Sequence, residues 1–291
     1  MKPAPFEYSR PQTLDEACAL LKREEGARLI AGGQTLVPFM AMRLARPTRL
    51  IDIARLKELS YIRDDRDAIA IGAATKQRVV AEDLLVCAKL PLLAAIMPYV
   101  GHGATQARGT VGGSLANADP AAEIALVAVT LGATLLWRDG AETHETAAGD
   151  FFLGPMLTAL PASGCLTAAR FPVWPERRVG VGFHEINARQ SDFAFVSAAA
   201  QIALDERGVC IRAAVGLGAV AATPLRLDGV GQALEGSRAE DAPMRARLTA
   251  ALAEIEPMSD MHASAAYRRR VGVTLAARAI ADAYRAAVGR P

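Results

Sequence analysis

The stretch LIAGGQTLVPFMAMR, residues 29–43, is an apolar run that breaks at two adjacent glycines and then resumes. Two residues without a Cβ at the end of a strand-like run permit either a tight reversal or close approach of another group to the backbone. A second stretch, GTVGGSLANADP at residues 109–120, repeats the arrangement about eighty residues later. Both lie at junctions between regular elements, so the chain must fold around two bare turns.

The elements between them follow from periodicity and capping. Thr13-Leu14-Asp15-Glu16 is a capping box, and Ala17, Leu20 and Leu21 then supply one apolar face, which predicts a helix over residues 14–24 that ends before Gly26. Residues 28–31 and 50–53 read as strands and complete a small βαβ-like layer. Ile62, the turn-like Asp64-Asp65-Arg66-Asp67 and residues 68–72 read as a hairpin. Thr75 is placed to cap a helix carrying Val79, Val80, Leu84 and Leu85, and residues 90–100 read as a second apolar helix. Residues 123–131 read as a buried helix and 133–137 as a strand.

Pro172, Pro175 and Glu176-Arg177-Arg178 read as a linker. Beyond it, residues 193–204 and 209–215 flank Asp205-Glu206-Arg207-Gly208 and read as an antiparallel hairpin. About the last 45 residues read as helical, with Leu275, Ala276, Ala279, Ile280, Ala283 and Ala287 on one face and Arg278, Asp282 and Arg285 on the other.

Composition narrows the function mainly by exclusion. Thirty-three Lys and Arg against 31 Asp and Glu leave a net charge of +2, too balanced for a nucleic-acid or anionic-membrane footprint. The run Tyr267-Arg268-Arg269-Arg270 reads as a solvated helix face or a subunit contact. Cys18, Cys87, Cys165 and Cys210 have no ligand spacing and read as buried free thiols. The four histidines, His102, His144, His184 and His262, form no HExxH pair, and there is no GxSxG elbow. The longest apolar segment, residues 124–137, is too short to span a bilayer, and the start MKPAPFEYSRP lacks signal-peptide character, which predicts a cytoplasmic protein.

Neither glycine loop fits GxGxxG or GxxxxGK[ST], which removes the main support for a Rossmann dinucleotide fold or a P-loop NTPase. Converging amide N–H groups can still hold a phosphate, and Gly32-Gly33-Gln34-Thr35 offers such a nest with a hydroxyl beside it. Thr110, Gly112, Gly113 and Ser114 offer a second. Two facing nests would clamp a diphosphate without any lysine. Read singly, a glycine pair is more often a tight turn, since such pairs are common at strand ends. Asp119 before Pro120 is a turn former, Glu123 favours a helix start, and Leu166 is a core type.

Taken together and in order, AGGQTLVPFMAMR, RGTVGGSLANADPAAE, FFLGPMLTALPASGCLTAARFP and FHEINARQSDFAFV resemble the FAD-binding medium subunit of the molybdenum hydroxylases, the family of xanthine and carbon monoxide dehydrogenases. The resemblance covers nearly the whole chain. It implies that Ala31, Gly32, Gly33, Gln34, Thr35 and Leu36, with Thr110, Gly112, Gly113 and Ser114, bind the FAD diphosphate. It further implies that Asn117, Asp119 and Glu123 line the ribityl or adenosine side and that Leu166 lies near the flavin. Some relatives place a lysine by the isoalloxazine; here the sequence is Phe183-His184-Glu185, and His184 is the nearest candidate.

The implied fold is α+β. An FAD-binding domain of the PCMH type would occupy residues 1–172, split into subdomains of about 1–57 and 58–172, and a smaller C-terminal domain of antiparallel sheet plus helices would occupy 178–291. The implied role is electron transfer within a heterotrimer, itself expected to dimerise. A molybdopterin-binding large subunit would carry the molybdenum cofactor, and a small subunit two [2Fe-2S] clusters. FAD on this chain would pass electrons to a terminal acceptor, and no catalytic side chain or metal is expected on it. A stand-alone FAD-dependent oxidoreductase of the same superfamily and a non-enzymatic assembly module are the competing readings.

Overall fold

The structure, a computed structural model, describes residues 2–238 and 244–289. Its first layer is built on β1 (Glu7–Ser9), α1 (Leu14–Arg23), β2 (Arg28–Ile30), α2 (Leu36–Ala41) and β3 (Arg49–Asp52). The Thr13 hydroxyl accepts the Glu16 amide at 3.2 Å, and the Glu16 carboxylate accepts the Gln12 amide at 2.8 Å, so the capping box closes one residue early. The strands form a parallel sheet in the order β1-β3-β2. Leu14, Ala17, Cys18 and Leu21 pack with Ile51, Leu56 and Cys165, tying this layer to the next sheet.

The second sheet comprises β4 (Ile62–Asp65), β5 (Ala68–Gly72), β6 (Thr134–Asp139), β7 (Glu142–Ala147) and, after the small pair β8 (Phe152–Gly154) and β9 (Leu157–Thr158), β10 (Gly164–Pro172). It is antiparallel, in the order β4-β5-β10-β6-β7. Between β5 and β6 run α3 (Gln77–Glu82), α4 (Leu84–Lys89), α5 (Pro91–Ile96), α6 (Gly103–Gln106), α7 (Val111–Asn117) and α8 (Glu123–Leu131), and α9 (Ala148–Phe151) follows β7. Every residue of α8 is buried, as an all-round apolar helix requires.

The expected helix from Thr75 is instead two short ones. Thr75 is buried and exchanges hydrogen bonds with the backbone N–H and C=O of Tyr61 at 3.0 and 2.9 Å, which takes its hydroxyl away from capping. Asp83 breaks the run by capping α4 through the Val86 amide at 2.9 Å, and Val79 and Leu84 are left exposed. Cys87 on α4 is exposed, whereas Cys18, Cys165 and Cys210 are buried as expected.

The third sheet is antiparallel and sequential: β11 (Arg178–Ile186), β12 (Val196–Leu204), β13 (Cys210–Gly218) and β14 (Leu225–Arg226). It is followed by α10 (Asp228–Leu234), α11 (Met244–Ala253) and α12 (Ala265–Val288); the last two residues of the expected terminal helix lie outside the described ones. α12 lies against β11 closely enough that a Cβ on Gly180 or Gly182 would stand 2.0 or 2.1 Å from the carbonyl oxygens of Ala283 and Ala279. The alternate β11 residues, Val181 and Phe183, point the other way into the core shared with α5 and α8. The strand expected from residue 193 starts only at Val196, and Phe193 is exposed.

The arginine run is a solvated face only in part: Arg269 and Arg270 are exposed, but Arg268 is not. Arg268 is 1 % exposed, and its guanidinium donates to the carbonyl oxygens of Phe195 and Ala219 and to Asp260, the last at 2.6 Å. Three acceptors converge on it, which is what a buried guanidinium requires.

Candidate functional site

β2 delivers the chain to Gly32 and Gly33. Gly33 has φ +67°, a left-handed conformation that a side chain would strain. Gln34 folds back so that its amide nitrogen donates to the Gly32 carbonyl at 2.9 Å. The backbone N–H groups of Gly33, Gln34 and Thr35 have no acceptor among the described residues. Three successive open donors in a left-handed turn form an anion-sized nest. Ala31, Thr35 and Leu36 border it, each half-buried.

The second loop differs. Thr110 caps α7 by accepting the Gly113 amide on its hydroxyl at 3.0 Å. The amides of Val111, Gly112 and Ser114 donate to the carbonyls of Thr75, Ala73 and Thr110 at 3.1, 2.9 and 3.0 Å. The two matching nests expected from the sequence are thus one open nest and one loop whose amides are already engaged. Ser114 and Asn117 stand half-buried along the face of α7, and Gly113 is exposed.

The loops touch through backbone. A Cβ on Gly32 would lie 2.5 Å from the Arg108 carbonyl oxygen and 2.8 Å from the Gly109 Cα, so only glycine permits the approach. The Lys76 ammonium donates to that same Arg108 carbonyl at 2.9 Å, and burial holds it below the usual lysine range. Lys76 had no motif to mark it in the sequence, yet it supplies a cation where the loops meet.

After α7, Ala118 takes a left-handed φ of 50° and the chain turns into α8. The Asp119 carboxylate accepts the Ala121 amide at 2.9 Å, and burial pushes its carboxyl up. Glu123, the first residue of α8, is 9 % exposed; burial, with added repulsion from Glu185 and Asp119, pushes it up to about 8. Both therefore also perform the local structural tasks that their types suggested. Leu166 on β10 is buried in the main core.

His184 faces away. Its Nε2 lies 2.7 Å from Asp282 of α12, on the face of β11 that carries Gly180 and Gly182. Strand alternation puts Glu185 on the opposite face with Val181 and Phe183, and burial pushes it up to about 7. His184 and Glu185, neighbours in sequence, thus lie on opposite faces of β11, a division that only the register shows. The Ala219 amide donates to the Pro120 carbonyl at 2.8 Å, fastening the third sheet to the Asp119 turn. Two surface depressions of about 440 and 390 Å³, lined by Asp15, Lys22 and Arg138 and by Tyr61, Glu145 and Arg170, involve none of these residues.

Two family models match the chain: "FAD binding domain in molybdopterin dehydrogenase" over residues 4–174 and "CO dehydrogenase flavoprotein C-terminal domain" over residues 182–283. The chain belongs to this family. It is similar to the carbon monoxide dehydrogenase medium chain of Afipia carboxidovorans, with 33 % identity over 96 % of this chain and 97 % of that one. The nicotine 6-hydroxylase medium subunit of Paenarthrobacter nicotinovorans is 33 % identical over 97 % and 99 %. The fold superposes on the solved Cu,Mo-CO dehydrogenase with a TM-score of 0.94 at 32 % identity, covering 98 % of this chain and all of that one. Quinoline 2-oxidoreductase from Pseudomonas putida 86 gives a TM-score of 0.92 at 32 % identity, covering 99 % of each.

As a molybdenum-hydroxylase medium subunit, the chain is an oxidoreductase component with an FAD-binding domain. Among the described residues, no helix is long and apolar enough to cross a membrane, and no group of three His, Cys, Asp or Glu could hold a metal ion.

Proposed function

We propose that this chain is the FAD-carrying electron-transfer subunit of a cytoplasmic heterotrimeric molybdenum hydroxylase, paired into a dimer of heterotrimers. A molybdopterin-binding large subunit and a small subunit with two [2Fe-2S] clusters are the partners. Bound FAD would supply the redox chemistry, coupling single electrons from those clusters to a terminal acceptor.

The observation that carries the reading is the open nest at Gly33, Gln34 and Thr35, held against the second loop by the Gly32 contact with Arg108. Residues 31–36 would hold the diphosphate through amide donors, with the Lys76 ammonium neutralising charge beside them. Residues 110–114 would form the opposing wall, contributing the Ser114 hydroxyl and a backbone rigid enough to fix the distance across. Asn117, Asp119 and Glu123 would meet the ribityl and adenosine hydroxyls, and Leu166 would back the ring from the core. His184 is left out, being committed to Asp282.

The test is co-purification with the products of the neighbouring genes, followed by flavin absorbance and release. The expected result is about one FAD per chain by analogy with one nest, and no hydroxylase activity from this chain alone. An intact complex that neither contains FAD nor takes it up on reconstitution overturns the reading, and so does the absence of molybdopterin-binding and Cys-rich partners.

A further inference from the structure

Two buried thiols meet at the seam between the first layer and the second sheet. Cys18 comes from the middle of α1 and Cys165 from the start of β10, and both are fully buried. Strand alternation sends Leu166 into the main core and turns Cys165 the other way, into the cluster of Leu14, Ala17, Cys18 and Leu21. The two thiols hydrogen-bond to each other there. The other cysteines stand apart, Cys87 exposed on α4 and Cys210 in the core under α12.

A charged frame holds the pair. Arg138 lies opposite Cys165 in the β10–β6 register and reaches over to Asp15, one turn before Cys18 on α1, at 2.7 Å. Its other terminal nitrogen donates to the Gly140 carbonyl at 2.9 Å, and its Nε is buried without an acceptor. The hydrogen bond from Cys165, helped by the Arg138 charge, holds the Cys18 thiol below its ordinary range, while the same bond and burial push Cys165 up. One sulfur is thus disposed to become the thiolate and the other to keep its proton, the division of labour that thiol oxidation needs. The depression of about 440 Å³ brings solvent to Asp15, Ala19 and Lys22, which flank Cys18 on the helix.

We propose that Cys18 and Cys165 form a modification site, a dithiol that hydrogen peroxide converts to a disulfide joining α1 to β10. The Cys18 thiolate attacks one peroxide oxygen and the O–O bond breaks, leaving a sulfenic acid on Cys18 and a hydroxide that takes up the proton Cys18 had released. The Cys165 sulfur then displaces the sulfenic hydroxyl, which leaves as water with the Cys165 proton. Two electrons pass from the sulfurs to the peroxide, and both of its oxygens end as water. Because α1 leads through β2 into Gly32 and Gly33, the new bond braces the layer that carries the nest against the second sheet. The site stands independently of the flavin reading.

The test is thiol mapping of this chain in its purified complex. After brief exposure to graded hydrogen peroxide, the complex is denatured in an alkylating agent and digested, and the cysteine peptides are identified by mass. The expected result is a linked pair, Cys18 with Cys165, that dithiothreitol returns to thiols, with Cys87 joined to neither. Hydrogen exchange of the α1 amides should slow by at least about tenfold in the oxidised form, and peroxide should leave it unchanged in Cys18→Ala and Cys165→Ala. Full alkylation of both thiols at a peroxide dose that oxidises Cys87 overturns the proposal, as does recovery of either as a sulfinic acid without the link. Those wild-type readings decide the matter even if the variants do not fold. A linked form whose α1 exchange equals that of the reduced form overturns the bracing role.

Discussion

Gly32 decides more than any other single residue. Its missing side chain lets two loops that are distant in sequence share a boundary at Arg108 and Gly109. Gly32→Val places a Cβ inside that contact and must push the loops apart. The expected cost is about 1–3 kcal/mol of stability, read by denaturant melts, with at least about a tenfold loss of FAD retention, read by flavin release from the complex. Retention equal to wild type would show that the contact does not set the site. The glycine pairs were legible in the sequence because two such loops recur about eighty residues apart, each beside a hydroxyl residue. The asymmetry between the loops was not legible, since it depends on which carbonyls of Ala73 and Thr75 lie within reach of α7. Lys76 escaped for a related reason: its place beside the Arg108 carbonyl comes from what folds next to it.

At the scale of elements, α12 is both a cover and a clamp. Its apolar face was read correctly from Leu275 to Ala287, and all six of those positions are buried. Extending the same period backwards passes through Gly272 and Arg268, four and seven residues before Ala276 and Leu275, so the burial of Arg268 had a signal that its charge concealed. The helix could be read from residue types, but the acceptors of the guanidinium could not, because Phe195, Ala219 and Asp260 come from three separate loops or strand ends. Arg268→Met leaves those acceptors without a donor and Asp260 without its cation. The expected loss is about 3–5 kcal/mol, measured by denaturant unfolding, and the loop before Val196 should gain hydrogen-exchange rate. A stability within error of wild type would contradict the clamp.

For the whole molecule, the third sheet packs over two cores, one face forming its own with α10, α11 and α12 and the other joining the main one. Phe183 and Ala199 belong to the same buried cluster as α5 and α8, so the apolar surface is continuous across the linker. A chain ending at residue 177 would uncover α8 and should bind a hydrophobic dye and lose cooperative unfolding, whereas the full chain should melt in one transition. Cooperative unfolding of the shortened chain would sink this view. The α+β class and the domain layout followed from the family resemblance, while periodicity and capping placed individual elements such as α1 and α12. That one face of the third sheet joins the main core was hidden, because strands of similar composition pack equally well in separate domains.

The link from the Ala219 amide to the Pro120 carbonyl bears on how a nucleotide proposed to lie at the Asp119 turn would arrive. A cleft between free-swinging halves opens like a book and closes over its contents. Here the spine is bound on both sides, by Arg268 behind Ala219 and by the turn before it. The third sheet and the Asp119 turn are thus braced as one body, so a nucleotide held at that turn would exchange without the sheet swinging away.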